Sequence, residues 1–155
     1  MTYQYTILLQ RGFGGTTVNT KPVGDEEHQV FEILNHAKLA GKKMRISDLV
    51  RDVNDLGAHE EYEDPRKRTT PRKMFQIIRN MRDAGIPVVD DTKGLWIASS
   101  VNEVMQFADH LERKARSDIA SMLKLKRTML SFVNADMPSL FDGLELEKEL
   151  DKNDI

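Results

Sequence analysis

The chain has 155 residues, 39% of them apolar, and a formal net charge of −2. That composition suits one ordinary domain with a modest core plus an extension, and it leaves little room for a second full domain. There is no cysteine, which excludes a disulfide framework, a thiolate metal site and a cysteine nucleophile, and suits a reducing cytoplasm.

Residues 1–24 open with YQYTILLQ, which reads as a short strand, followed by the Gly- and Thr-rich RGFGGTTVNTKPVG, which reads as a loop. Asp25 is then expected to cap a helix in which Val30, Ile33, Leu34 and Ala37 recur at helical spacing before Gly41. Ser47 is expected to cap a second, short helix with Leu49, Val50 and Val53 inward, ending at Gly57. The polar run AHEEYEDPRKRT, four acids and then three bases, fits no core and reads as a loop.

The third helix is the most fully marked. Thr70 is placed as its N-cap, Pro71 as its first residue and Gly85 as its end. Met74, Ile77, Ile78, Met81 and Ala84 form its apolar stripe, leaving Arg72, Lys73, Gln76, Arg79 and Asn80 on the opposite side. Two β-type runs, IPVV and LWIA, then flank DDTKG, the pattern of a hairpin. SVNE at Ser100–Glu103 is a capping box that starts a long helix across residues 100–133. In that helix positions 104, 108, 111, 115, 118, 122, 125, 129 and 132 alternate steps of four and three, and only Asp118 among them is polar. A stripe sustained over four heptads, about 45 Å at ~1.5 Å per residue, calls for a partner helix, so a homodimer through residues 101–132 is expected.

Charge is unevenly spread. Residues 65–93 hold eight basic side chains (Arg66, Lys67, Arg68, Arg72, Lys73, Arg79, Arg82 and Lys93) against three acids. Residues 134–155 hold seven acids against two lysines, which reads as a solvated acidic tail. No apolar run approaches the ~18 residues of a membrane span, and the start lacks the basic flank of a signal peptide, so a soluble cytoplasmic protein without membrane partners is expected.

The element order across residues 25–99, together with TTPRKMFQIIRNMRDAGIPVVDDTKGLWIA, resembles a winged helix-turn-helix DNA-binding domain of bacterial and phage type. The fold class expected is therefore mainly α with a small β-hairpin, the winged domain being followed by a long C-terminal helix. One departure is the 12-residue loop before the third helix, which is longer than the usual tight turn. The resemblance implies a double-stranded DNA partner, with the third helix in the major groove and Arg72, Lys73, Gln76, Arg79 and Asn80 within reach of bases. Lys93 at the wing tip and Arg66, Lys67 and Arg68 in the loop would then touch phosphate. Either transcriptional regulation or replication accessory work would fit. The alternative is that the same face is an ordinary solvated helix surface and the domain an interaction module.

In the tail, MPSLF resembles the short peptide with which bacterial replication and repair proteins dock on the DNA-polymerase sliding clamp. Ser139, Leu140 and Phe141 match its last three positions, while Met137 stands where glutamine is usual and Pro138 where leucine is common. The resemblance implies insertion of Leu140 and Phe141 into a preformed pocket of the clamp, against a fold-back of the pair on the chain itself.

Catalysis finds little footing. His28, His36, His59 and His110 show no metal-ligand spacing, GFGG lacks the Lys-Ser/Thr of a phosphate loop, and no Ser/His/Asp order is recognisable. No enzyme activity, metal or cofactor is expected.

Overall fold

The structure is a computed structural model that describes residues 1–57 and 68–133. Its elements run β1 (Thr6–Arg11), β2 (Gly14–Asn19), α1 (Asp25–Leu39), α2 (Ile46–Gly57), α3 (Pro71–Asp83), β3 (Val88–Asp91), β4 (Gly94–Ile97) and α4 (Val101–Val133). The chain divides into a unit of residues Met1–Phe107 and a second unit of Ala108–Ile155. The acidic tail and most of the loop before α3, including Arg66 and Lys67, lie outside the described residues.

The N-terminal segment departs from expectation. Residues 14–19 form a strand, and β1 and β2 pair antiparallel from Thr6↔Asn19 to Arg11↔Gly14. Gly12, at φ +58°, supplies the left-handed residue of the two-residue turn, a conformation glycine adopts without a Cβ penalty. The Thr-rich run suggested a loop by composition, but threonine also suits a strand, and the exposed Thr16 and Thr17 lie opposite Leu9 and Leu8 in a hairpin whose buried side is supplied by Ile7 and Leu9. Backbone bonds dock this hairpin on its surroundings: Gln10 N donates to Ser99 O (2.9 Å) and Lys21 N to Ala84 O (2.7 Å). Residues 1–24 therefore belong to the same body as residues 25–99 rather than forming a separate segment.

Two cap assignments shift. Gly24, not Asp25, is the N-cap of α1, which places Asp25, Glu26 and Glu27 in its first turn, where carboxylates suit the helix dipole. Helix α2 begins at Ile46, one residue before Ser47, because the Leu49 amide donates to Arg45 O (3.0 Å). The other two caps stand as expected. Thr70 Oγ1 accepts from the Lys73 amide at 3.2 Å, and each of Ser100 and Glu103 accepts with its side chain from the other's amide, both at 3.2 Å.

The core of the first unit is built from Val30, Phe31 and Leu34 of α1, Leu49 of α2, the stripe of α3, and Val88, Val89, Leu95 and Ile97 of the second hairpin. Strands β3 and β4 pair from Val88↔Ile97 to Asp91↔Gly94. A third strand-like contact comes from the segment between α1 and α2: Met44 and Leu95 exchange both backbone bonds, at 2.9 and 2.7 Å. Gly94 sits at φ +146°, and a Cβ there would lie 2.7 Å from Met44 O, so the close approach of these backbones requires glycine. The start of α4 packs on the same core through Val101, Val104 and Phe107.

Candidate functional site

Helix α3 is oriented from three sides. At its start, the Asn54 side chain of α2 both donates to Thr69 O (3.0 Å) and accepts from Thr69 N (2.9 Å), fixing the chain just before the Thr70 cap. Along its length, Met74, Ile77, Ile78 and Met81 are buried. Near its end, Arg82 donates to Val88 O (2.8 Å) and Asp90 Oδ2 (3.0 Å) and lies over the Phe107 ring, so this base braces β3 against α3 and is not part of an open basic surface. The Asn54 clamp carries no sequence signal, since it joins residues separated by a polar loop.

The face opposite the core divides into a centre and an edge. Arg72, Gln76 and Arg79 form the exposed centre, and neither arginine has an ion-pair partner among the described residues. On the edge toward α1, Lys73 Nζ lies 2.5 Å from Glu26 Oε1, and Asn80 donates to Glu27 Oε1 at 3.0 Å. Gln76, itself exposed, donates to Asn80 Oδ1 at 2.9 Å. Of the five expected base-reading residues, then, two are engaged by the acidic first turn of α1. Phe75 was missed: it is 61% exposed and lies one helical turn from both Arg72 and Arg79. Its position off the Met74, Ile77, Ile78 and Met81 stripe is the signal that locates it.

At the second hairpin, Lys93 is exposed in the two-residue turn. Asp91 Oδ1 accepts from Lys93 N (2.7 Å) and Gly94 N (3.2 Å), closing the turn through a side chain. The hydrogen bond from Lys43 holds the Asp91 carboxyl below the usual carboxylate range, and Lys43 Nζ also stands 3.9 Å over the Trp96 ring. Arg68, at the end of the described loop, is exposed. Met137, Ser139, Leu140 and Phe141 lie outside the described residues, as do His59 and its neighbouring acids.

A separate groove of about 940 Å³ runs between α1 and α2, with His28, Glu32, His36, Asp52, Asp55 and Leu56 along its walls. At its rim His28 stacks on Tyr3 with ring centroids 3.6 Å apart and shares a hydrogen bond with the Tyr5 hydroxyl. Burial, with smaller help from the Glu32 charge, pushes that hydroxyl up to about 12. Among the described residues no group of three or more His, Asp or Glu could hold a metal ion, and no helix is long and apolar enough to cross a membrane.

None of the protein-family models, curated proteins or solved structures compared with this chain matches it.

Proposed function

We propose that this chain binds duplex DNA through a winged helix-turn-helix domain, as a transcriptional regulator or a replication accessory. The observation that carries the reading is the reciprocal Met44–Leu95 bridge. It adds the segment between α1 and α2 to the β3–β4 hairpin, so that helix, short strand, helix, helix and two-stranded wing follow one another as in winged domains. On that frame the exposed centre of α3 offers two arginines, Arg72 and Arg79, without ion-pair partners among the described residues. Arg72 and Arg79 suit guanine or phosphate, and Gln76 suits adenine. Lys93 and Arg68, with Arg66 and Lys67, would add phosphate contacts that carry affinity without sequence choice. Lys73 and Asn80 would act at the margin, because contact with DNA would have to displace Glu26 and Glu27.

Anisotropy of a labelled duplex at two salt concentrations tests this. Arg72→Ala/Arg79→Ala should lower affinity by at least tenfold and reduce the salt slope by about 2, one for each lost phosphate-neutralising charge. An unchanged affinity and slope would overturn the assignment of α3.

A second reading is favoured by one feature. An aromatic side chain, Phe75, stands exposed between the arginines, and Glu26 and Glu27 border the same face, a mixture common at protein interfaces. If so, the domain is an interaction module. Phe75→Ala would then abolish partner binding, duplex affinity would be absent at low salt, and the tail residues Leu140 and Phe141, with the sliding clamp as candidate partner, become the next place to examine.

A further inference from the structure

We infer that the tip of the β1–β2 hairpin of one copy seats in the α1–α2 groove of a second copy, and this inference is independent of the duplex-binding reading. Tip and groove both belong to the Met1–Phe107 unit. In the tip segment RGFGG only Arg11 and Phe13 carry side chains beyond Cα, because glycine occupies positions 12, 14 and 15. The Phe13 ring is fully exposed, and Arg11 is exposed beside it. Residues 1–24 contain no acid and two bases, Arg11 and Lys21. The hairpin thus presents a narrow cationic turn with an aromatic ring in water, and aromatic and arginine side chains are the usual anchors of protein contacts.

The groove is the counterpart in size and charge. Ile33, Ala37, Met44 and Leu56 give it apolar walls around about 940 Å³, more than one phenyl ring occupies, so the turn that carries the ring can enter with it. Its charged side chains are Glu32, Asp52 and Asp55 against Lys42. Asp52 is engaged by Arg51 at 3.3 Å, whereas Glu32 and Asp55 are exposed and have no ion-pair partner among the described residues. A ring beside an arginine therefore meets apolar walls beside two open carboxylates. The tip does not reach the groove of its own chain. Tyr5 shares a hydrogen bond with His28 at the rim, and the six-residue strand β1 then carries the chain roughly 20 Å onward at ~3.3 Å per residue. Met44 of the groove bridges Leu95, while Gln10 bridges Ser100 in parallel, so β1 runs away from Met44 as well. The occupant is a second copy, since each chain carries both parts and can give a tip and receive one.

The photo-crosslinker p-benzoylphenylalanine in place of Phe13 keeps an aromatic ring at the tip and bonds on irradiation to what the ring touches. Full-length chains bearing it, mixed with an excess of isotope-labelled parent chains, should cross-link to labelled peptides that contain Ile33, Met44 or Leu56. Cross-links to α3 or α4, cross-links within the probe chain alone, or none at high micromolar concentration would overturn the inference. Leu56→Glu in the labelled chain should lower the yield about tenfold, by setting a carboxylate against the ring. The same substitution in the probe chain should leave most of the yield, because that chain's tip and the parent's groove are intact. Loss in both arrangements, or in neither, would overturn the assignment of the groove. Arg11→Glu in the probe chain should lower the yield about fivefold, and Glu32→Lys/Asp55→Lys in the labelled chain should restore it. Restoration shows that both chains had folded, and its failure would count against the charge pairing that selects a second copy.

Discussion

Helix α3 buries Met74, Ile77, Ile78 and Met81 until at most 2% of any one remains exposed, whereas α4 leaves Leu125 and Met129 more than half exposed. Both stripes are written in the sequence with the same helical period. A period identifies which side chains share a face, and it carries no information about what meets that face. For α3 the covering elements are α1, α2 and β3, which its 13 residues can reach. For α4, the first turns find the core through Val101, Val104 and Phe107, and the later stripe is left over from the 33-residue helix.

Truncation on the two stripes should separate them by the widest margin. Met81→Ala is expected to destabilise the first unit by about 2–5 kcal/mol, from lost transfer energy and the cavity left among well-packed neighbours. Leu125→Ala should cost under about 0.5 kcal/mol at protein concentrations too low for self-association. Urea unfolding followed by Trp96 fluorescence measures the first and helical circular dichroism the second. Equal costs would mean that the α4 stripe is covered within its own chain, and the contrast between the helices would fail.

A smaller loss is expected where the β3–β4 hairpin is held to the segment before α2. Gly94→Ala would place a methyl group against Met44 O in a backbone region that L-residues avoid, costing about 1–3 kcal/mol. Hydrogen exchange at the Met44 and Leu95 amides should accelerate together in this variant. If only Leu95 responds, the bridge contributes little to the sheet.

At the junction of the two regions, Glu103 accepts from the Ser99 and Ser100 amides and from the Trp96 indole at 3.4 Å. Glu103→Ala should cost about 1 kcal/mol, the usual value of a helix cap, and should loosen the first turn of α4 while leaving α3 protected. Amide exchange resolved by residue distinguishes that pattern from a general loss of stability.

How much of this was legible depended on the range of the interaction. The Thr70–Pro71 start of α3, the Ser100–Glu103 box and the β3–β4 hairpin are set by residues within a few positions of each other, and they stand as expected. Strand β2 was missed because its threonines are recognisable only beside Ile7 and Leu9 on a partner strand. The Asn54 clamp on Thr69 and the Lys73–Glu26 pair join residues far apart in the chain, and no local pattern announces them. The candidate site was accordingly readable as a list of exposed polar residues on α3. Its division into an open centre and an occupied edge was not, since α1 makes that division.

The smallest effect expected lies in ion pairing, where the two regions again differ. In α4, Arg116 and Glu112 are four residues apart on one helix, so removing the pair affects only that turn. Lys43 and Asp91 are 48 residues apart, and their pair lies beside the Met44–Leu95 bridge. Because the folded Asp91 carboxyl is held below its unfolded value, the folded state binds fewer protons over that interval. The stabilisation is complete above the unfolded value near ~3.9 and is lost as pH falls through the folded one. With the two side chains 36% and 38% exposed, water screens the attraction, and it is worth about 0.5 kcal/mol or less. Lys43→Met should therefore move the Asp91 carboxyl titration, followed by carbon NMR, upward toward the ordinary carboxylate range, with a slight loss of stability above pH ~4. If Asp91 already titrates at the ordinary value in the parent protein, Lys43 does not hold it, and the hairpin turn rests on the Asp91 bonds to the Lys93 and Gly94 amides alone.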